Sequence, residues 1–382
     1  MLLKAPWICP VTSEPISHGA VRVAGDLIEE IGSAQEILPR KGEEVVDFPN
    51  TVLFPGLVNC HAHLEFSRGP KKSGSFTDWV RQMIAFQEKV TTEEYERNIQ
   101  RATKDLLASG TTTAACHVGP FIPHHFFNHL PFRTIAFVEV VGRTEERSLA
   151  ALRAAQQWKV ESLIDSDRVE PFITPHSFYS LTEERARQVL ENFGPRFSIH
   201  LLESADEDQY FRKQAGPLLT LLEERSSGKF SFPHFSPVEF LKSLGALPKS
   251  LLIHANYLSP EEIQQIGREK AVVIHCPGSH QFFGHKKFPL MELKKSGAQI
   301  ALGTDSIASN KTLSMLEEIR LTVHNYPELT LEEVLAMATL QGAKALGINA
   351  GALEAGRKAD MIGVALTTKN PIESIFEAEK IV

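Results

Sequence analysis

The sequence predicts an α/β fold, a (β/α)8 barrel of the TIM type, on three observations. Eight short apolar runs alternate with amphipathic stretches between residues 52 and 304, as βα repeats do. Histidine or aspartate caps most of these runs, and the carboxyl ends of barrel strands carry such polar residues. The sequence has no GxGxxG or Walker A loop. A doubly wound sheet, the alternative fold, therefore fits less well.

The individual elements follow from periodicity. Strands are predicted at 52–58, 111–117, 134–141, 169–175, 197–203, 250–256, 271–276 and 299–304. Helices are predicted at 78–90, 93–110, 147–164, 181–193, 259–267, 312–325 and 330–347. Both termini read as short strands and turns, which predicts one small β-sandwich domain built from both ends. The expected boundaries are 1–53 plus 350–382 for the sandwich and 54–349 for the barrel.

Composition limits the classes of function. The 382 residues are 42% hydrophobic and 23% charged with a net charge of −7, which is ordinary for a soluble enzyme. A mildly acidic chain without a Lys/Arg block is a poor candidate for nucleic-acid binding. No stretch predicts a signal peptide or membrane span. Four cysteines without framework spacing indicate a reducing compartment, so a cytoplasmic location is expected.

Candidate metal ligands lie at the ends of three predicted strands. His61 and His63 alternate along a strand and so point to one face. A lone HxH is more often a chance pair than a ligand pair, but His200 and Asp305 end other apolar runs and supply the missing half. Three imidazoles and one carboxylate suit a divalent ion, Zn²⁺ first and Fe²⁺ second. No lysine ends the fourth strand, which favours one metal ion over two.

Two further residues are candidates for proton transfer and transition-state stabilisation. Glu203 follows His200 by three residues, so it is expected in the turn above the metal, where it could shuttle a proton. The alternative is a surface glutamate in a βα loop. His254 ends the sixth strand and could hydrogen-bond the attacking oxygen, or it could be a core histidine held by a carbonyl.

The ordered segments PGLVNCHAHLE, HLLES, HANYLS, HCPGSH, LGTDS and GALEAGRKADMI resemble the amidohydrolase superfamily, in its cytosine-deaminase and chlorohydrolase branch. The resemblance covers nearly the whole chain. It implies the metal ligands His61, His63, His200 and Asp305. It also implies that Glu203 shuttles a proton, that His254 assists the attacking water, and that Asp305 accepts a proton from that water.

The segment HCPGSHQFFGH carries His280 where related deaminases have asparagine, which is similar to the aminodeoxyfutalosine deaminases of menaquinone biosynthesis. Such enzymes act on an adenosine-like nucleoside that bears a benzoate. The residues proposed for this substrate are Trp79 beside the purine, Glu65, Glu139, Ser279 and His280 for the ribose, Arg143 for the benzoate, and His176 in the pocket wall.

Other functions stay open at this point. Deaminases of adenosylhomocysteine or methylthioadenosine, of guanine or of pterins, and hydrolytic dechlorinases would use the same metal site. A barrel that binds a ligand without catalysis is a third alternative, although every expected ligand and the acid are present. The expected partner is a small nucleoside, with no nucleic acid or membrane, and homodimers are common among such barrels.

Overall fold

The computed structural model describes residues 1–70, 74–166, 168–192, 196–226 and 236–381. The strands are β1 (Leu2–Ile8), β2 (Ile16–Ala24), β3 (Leu27–Ser33), β4 (Val45–Asp47), β5 (Thr51–Pro55), β6 (Leu57–Ala62), β7 (Thr111–Val118), β8 (Arg133–Val140), β9 (Val169–Pro175), β10 (Phe197–Leu201), β11 (Ser250–His254), β12 (Val272–His275), β13 (Gln299–Leu302) and β14 (Met361–Ala365).

The helices are α1 (Phe76–Gln87), α2 (Thr92–Ala108), α3 (Glu145–Asp165), α4 (Glu183–Asn192), α5 (Ala205–Lys213), α6 (Pro217–Arg225), α7 (Pro237–Ser243), α8 (Pro260–Arg268), α9 (Pro277–Phe283), α10 (Leu290–Ser296), α11 (Met315–Asn325), α12 (Leu331–Met337), α13 (Leu340–Leu346) and α14 (Glu373–Glu377). Short 3-10 helices occupy Leu64–Phe66, His124–Phe126, Phe178–Ser180 and Leu247–Lys249.

The chain divides into two compact units. The first comprises Met1–Asn59, Lys104–Thr113 and Ser314–Val382. The second comprises Cys60–Thr103 and Ala114–Leu313. The boundaries expected from the sequence, 1–53 plus 350–382 against 54–349, remain a prediction.

A six-stranded mixed sheet lies in the first unit. Its order is β14-β5-β1-β2-β3, and β4 also pairs with β1. The β1–β2, β2–β3 and β5–β14 pairs are antiparallel, whereas β1–β4 and β1–β5 are parallel. Strands from both ends of the chain therefore share one sheet. A core of buried aliphatic side chains covers it, including Ile8, Val21, Leu53 and Leu353.

Two four-stranded sheets have the orders β6-β7-β8-β9 and β10-β11-β12-β13. The pairs β8–β9, β10–β11, β11–β12 and β12–β13 are parallel. Isolated parallel bridges also join Ser177 to His200 and Ala62 to Asp305. The predicted α/β fold with parallel sheets is confirmed, and the bridges are consistent with the predicted barrel.

Three predictions of local structure are corrected. The run 52–58 is two strands, β5 and β6, which belong to different sheets and are separated by Gly56. The run 330–347 is two helices, because Thr339 leaves the helical conformation with φ −135° and ψ −91°. Six described helices of 5 to 9 residues each were missed, namely α5, α6, α7, α9, α10 and α14. The predicted helix 181–193 ends on a residue outside the described part.

Capping residues explain where several helices begin. Ser75 and Asp78 form a capping box at the start of α1. Ser259 and Glu262 do the same for α8, which starts with a proline at its first turn. Among the described residues, no helix combines the length and apolar character that crossing a membrane requires.

Candidate active site

Four side chains converge where parallel strands of the second unit end. His61 lies in β6 and His63 directly follows it, while His200 lies in β10 and Asp305 follows β13. The Nε2 atoms of His63 and His200 are 3.3 Å apart. The Nε2 atom of His61 lies 3.5 Å from Oδ1 of Asp305. His61, His63 and His200 present ligand atoms within 4.8 Å of one another, and Asp305 joins them through His61. All four residues are buried.

The spacing of these atoms fits a divalent cation. Neighbouring ligands of a tetrahedral ion at about 2.1 Å are roughly 3.4 Å apart. The two distances above, 3.3 and 3.5 Å, bracket that value. Three imidazoles with one carboxylate are donors that Zn²⁺ and Fe²⁺ accept.

The negative charge of the carboxylates around His63 also favours a bound cation. Burial alone would lower the pKa of His63, but the carboxylates of Glu65, Glu139 and Asp305 overcome burial and raise that pKa to about 9. Burial lowers the pKa of His200 to about 4 and that of His61 well below its usual value. A cation bound in the cluster would take the place of the proton that these carboxylates attract.

Hydrogen bonds orient the predicted ligands. Nδ1 of His200 lies 3.1 Å from the His176 carbonyl oxygen, so it donates there and leaves its Nε2 lone pair facing His63. The hydroxyls of Ser279 and Ser309 donate to Oδ2 of Asp305 at 2.8 and 2.7 Å. The Ser306 amide donates to Oδ1 of Asp305 at 2.8 Å. These bonds fix the carboxylate plane.

Glu203 and His254 lie on the Asp305 side of the cluster. Nε2 of His254 is 3.7 Å from Oε1 of Glu203 and 3.9 Å from Oδ2 of Asp305. Burial, and then the charges of Asp305 and Glu207, raise the pKa of Glu203 well above its usual value. Burial lowers the pKa of His254 well below its usual value. A neutral imidazole therefore faces a carboxyl group that readily holds a proton.

The backbone is strained at several strand ends in the site. Eight described non-glycine residues have positive φ, and four of them, Leu202, His254, Ala255 and Asp305, lie at the ends of β10, β11 and β13. A left-handed conformation costs about 1–3 kcal/mol for such residues and persists only where the surroundings enforce it. Several residues with this conformation close to one cluster are typical of functional sites.

Four of the residues predicted to contact substrate lie in or beside the cluster. Oε1 of Glu65 is 3.9 Å from Nδ1 of His63, and Oε1 of Glu139 is 3.5 Å from Nδ1 of His200. The ring of His176 stacks on that of His200, with centroids 4.7 Å apart. Ser279 is also present, although its hydroxyl already donates to Asp305.

The other three predicted contacts lie in different surroundings. Trp79 is half-buried and its indole N–H donates to the Ala308 carbonyl at 3.0 Å. His280 hydrogen-bonds the Lys286 carbonyl oxygen at 2.7 Å. Arg143 donates to the carbonyl oxygen of Tyr179, and burial lowers the pKa of its guanidinium to about 10. Their roles toward a substrate remain predictions.

Two residues of the site were missed from the sequence. Ser309 holds Asp305 and follows it by four residues in the segment DSIAS. The carboxylate of Glu207 accepts the backbone amides of Leu202 and Glu203 at 2.9 and 2.7 Å. Glu207 likewise follows Glu203 by four residues. A polar residue one turn after a functional residue was the available signal.

The chain belongs to the amidohydrolase family, which matches residues 52–382. The superfamily and the hydrolytic enzyme that the sequence predicts are therefore confirmed.

Among its relatives is a 5-methylthioadenosine/S-adenosylhomocysteine deaminase from Pyrococcus abyssi, 27% identical over 98% of this chain and 89% of the relative. Another is an adenosine deaminase from Helicobacter pylori, 28% identical over 93% of this chain and 89% of the relative. A solved structure, the Helicobacter pylori aminofutalosine deaminase in complex with methylthio-coformycin, is similar with a TM-score of 0.89. It is 23% identical and the match covers 100% of this chain and 97% of that one.

Proposed function

We propose that this protein is a metal-dependent hydrolytic deaminase of an adenosine-like nucleoside. The observation that carries the proposal is the joint placement of His61, His63, His200 and Asp305 beside the carboxyl group of Glu203. Side chains that can hold a metal ion, next to a buried group that can carry a proton, are what hydrolysis at an amidine carbon requires. The names of the two relatives support the nucleoside class.

The residues have distinct roles in the proposed reaction. His61, His63, His200 and Asp305 hold one divalent ion, Zn²⁺ first and Fe²⁺ second. When bound, the metal lowers the pKa of a water molecule in the site. Asp305 accepts one proton of the attacking water. The neutral ring of His254 hydrogen-bonds the oxygen as it approaches C6 of the purine.

Glu203 completes the proton balance. It delivers a proton to N1 of the purine as the C6–O bond forms. The proton held by Asp305 then passes to the amino group, and the C6–N bond breaks to release ammonia. As the C6 carbonyl forms, the proton that remains on the new hydroxyl passes to Glu203 and replaces the one that Glu203 gave to N1. One proton of water thus leaves with ammonia, the other restores Glu203, and the oxygen of water becomes the C6 carbonyl.

We propose 6-amino-6-deoxyfutalosine as the substrate, which would place the enzyme in menaquinone biosynthesis. His280 in the segment HCPGSHQFFGH supports this choice. The buried carboxylates of Glu65 and Glu139 suit the ribose hydroxyls, because an acceptor at that depth favours a donor from the ligand. In this proposal Trp79 and His176 flank the purine, Ser279 and His280 lie near the sugar, and Arg143 pairs with the benzoate.

The finer architecture is also a proposal. The parallel bridges Ser177–His200 and Ala62–Asp305 support closure of the two four-stranded sheets into the predicted eight-stranded barrel. The six-stranded sheet that combines strands from both chain ends supports the predicted composite β-domain. A cytoplasmic enzyme, with a homodimer as its assembly, completes the proposal.

A second candidate substrate is 5-methylthioadenosine or S-adenosylhomocysteine. The Pyrococcus abyssi relative, which matches 98% of this chain, is named for both compounds. Both share the adenosine ring with the first candidate, so the metal site serves either one. The three compounds differ at the 5′ end. The benzoate requires a cation, the methylthio group requires an apolar contact, and the homocysteine of S-adenosylhomocysteine requires partners for its amino and carboxylate groups.

Ammonia release from the Zn²⁺-loaded enzyme tests these proposals. The panel contains aminodeoxyfutalosine, methylthioadenosine, adenosylhomocysteine, adenosine and guanine. We expect the largest kcat/KM with aminodeoxyfutalosine. A larger value with methylthioadenosine or adenosylhomocysteine would replace the substrate and leave the metal mechanism in place. No turnover of any compound by a protein that holds one metal ion would overturn the nucleoside deaminase itself.

A further inference from the structure

His117 lies directly behind His61 and is fully buried in β7. Its Nδ1 atom is 3.0 Å from Nδ1 of His61. Its Nε2 atom is 2.6 Å from the hydroxyl oxygen of Ser198. The ring also stacks on Phe137, with centroids 5.1 Å apart. Two hydrogen bonds and one stacking contact thus define the position of a histidine that has no exposed surface.

The hydrogen bonds permit one arrangement of protons when His61 binds a metal. His61 presents Nε2 toward Asp305, so its lone pair must be on Nε2 and its proton on Nδ1. Nδ1 of His61 then donates to Nδ1 of His117. Because that nitrogen accepts, His117 carries its own proton on Nε2 and donates it to Ser198. The chain His61–His117–Ser198 is therefore directional.

We propose that His117 is a positioning residue that fixes the tautomer and ring orientation of His61 for metal binding, with Ser198 as the acceptor that fixes His117. This inference rests on the proposed metal site. A ligand histidine usually donates its second ring N–H to a carboxylate, carbonyl or water. Here a neutral imidazole takes that place. A neutral acceptor raises the basicity of the ligand less than a carboxylate would, and it adds no charge beside the buried cluster.

The geometry separates this role from simple filling of the core. An apolar side chain of similar size would keep the stacking on Phe137 but would leave the N–H of His61 without its acceptor. A buried donor without a partner costs about 1–3 kcal/mol. His61 would relieve that cost by turning its ring or by moving its proton to Nε2, and either change removes a lone pair from the cluster.

The test compares His117→Phe with His117→Asn. Phenylalanine keeps an aromatic ring that can stack on Phe137, but it has neither nitrogen. Asparagine keeps an acceptor oxygen at the position of Nδ1. We measure the Zn²⁺ dissociation constant by competition with a chromophoric chelator, and we record the visible absorption of Co²⁺-loaded protein to report ligand geometry. Neither measurement depends on turnover.

Loss of an outer hydrogen-bond partner typically weakens metal binding by 10–100-fold. We expect a loss of that size for His117→Phe, with a changed Co²⁺ spectrum, and affinity near wild type for His117→Asn. Ser198→Ala deletes one oxygen and should weaken Zn²⁺ binding in the same direction, so it keeps the test decisive if His117→Phe does not fold.

His275→Phe is the matched control. His275 is another fully buried strand-end histidine, and its ring stacks on Phe288 at 4.0 Å. Zn²⁺ affinity should be unchanged in this variant. Wild-type affinity in both His117→Phe and Ser198→Ala would overturn the inference, as would equal losses in His117→Phe and His117→Asn. Failure of the wild-type protein itself to bind Zn²⁺ would instead overturn the proposed metal site.

Discussion

Replacing Glu203 by glutamine isolates the proton transfer from the rest of the site. The side chain keeps its length and volume, but the amide cannot give up a proton to the purine. The backbone is held independently, since the Glu203 amide donates to Glu207 at 2.7 Å and its carbonyl accepts from Asn256 at 2.9 Å. The local conformation should therefore survive the substitution.

The expected loss follows from the role of Glu203. A positioned acid or base contributes about 10²–10⁴ in rate, which corresponds to roughly 3–5.5 kcal/mol of transition-state stabilisation. Oε1 of Glu203 is 3.7 Å from Nε2 of His254, and among the described residues the groups of side chains that could hold a metal ion do not include Glu203. We therefore expect kcat to fall by about 10²–10⁴ while bound metal stays at the wild-type level.

The assay is steady-state ammonia release with the best substrate of the panel, together with metal analysis of each protein. Glu184→Gln is the control, because it removes an exposed carboxylate on α4 and should leave both values unchanged. A Glu203→Gln enzyme with a kcat close to wild type would refute the assigned role. Loss of the metal would instead show that Glu203 stabilises the ligand cluster.

Three further predictions concern the surroundings of the cluster. Asp305→Asn changes a proposed ligand, so it should weaken Zn²⁺ binding by more than the roughly 10–100-fold that follows when a hydrogen-bond partner of a ligand is lost. Competition with a chelator measures the affinity. Gly303→Ala should lower the melting temperature, at a cost of about 1–3 kcal/mol, because a Cβ there would lie 2.8 Å from Cβ of His61. Burial raises the pKa of Glu207 from 4.5 to about 8. The stability this group contributes is therefore present below pH 4.5 and is lost as pH rises through 8, so wild type should lose stability relative to Glu207→Gln across that window, by at most about 1.4 kcal/mol per pH unit. Urea midpoints at several pH values measure it, and a constant difference would contradict the burial argument.

The sequence was most informative where function coincides with the end of a regular strand. His61, His200 and His254 close apolar runs, and period-two alternation is enough to put such residues on a defined face. The parallel order of the strands then collects them at one edge. These steps need only local pattern and a rule of topology. The outcome does not depend on side-chain rotamers or on the paths of loops.

The hydrogen-bond partners of the predicted residues escaped prediction because they depend on those features. Ser198 reaches His117 only because β10 and β7 come close in space, and Arg143 turns to the Tyr179 carbonyl because of the loop after β8. The short helices α9 and α10 lie in loops that carry site residues, and pieces of 7 residues leave too few turns for a helical period to emerge.

Backbone hydrogen bonds between His61 and the residues that follow β13 explain how side chains so distant in sequence come together. The carbonyl oxygen of His61 accepts the amides of Thr304 and Asp305 at 3.0 and 2.9 Å, and Gly303 lets the two backbones approach this closely. The left-handed conformation of Asp305 then turns its carboxylate toward the Nε2 atom of His61. Because these backbone hydrogen bonds also set the positions of His61 and Asp305, folding alone fixes the arrangement of these two candidate ligands. The strain at Asp305 is therefore maintained by these backbone hydrogen bonds.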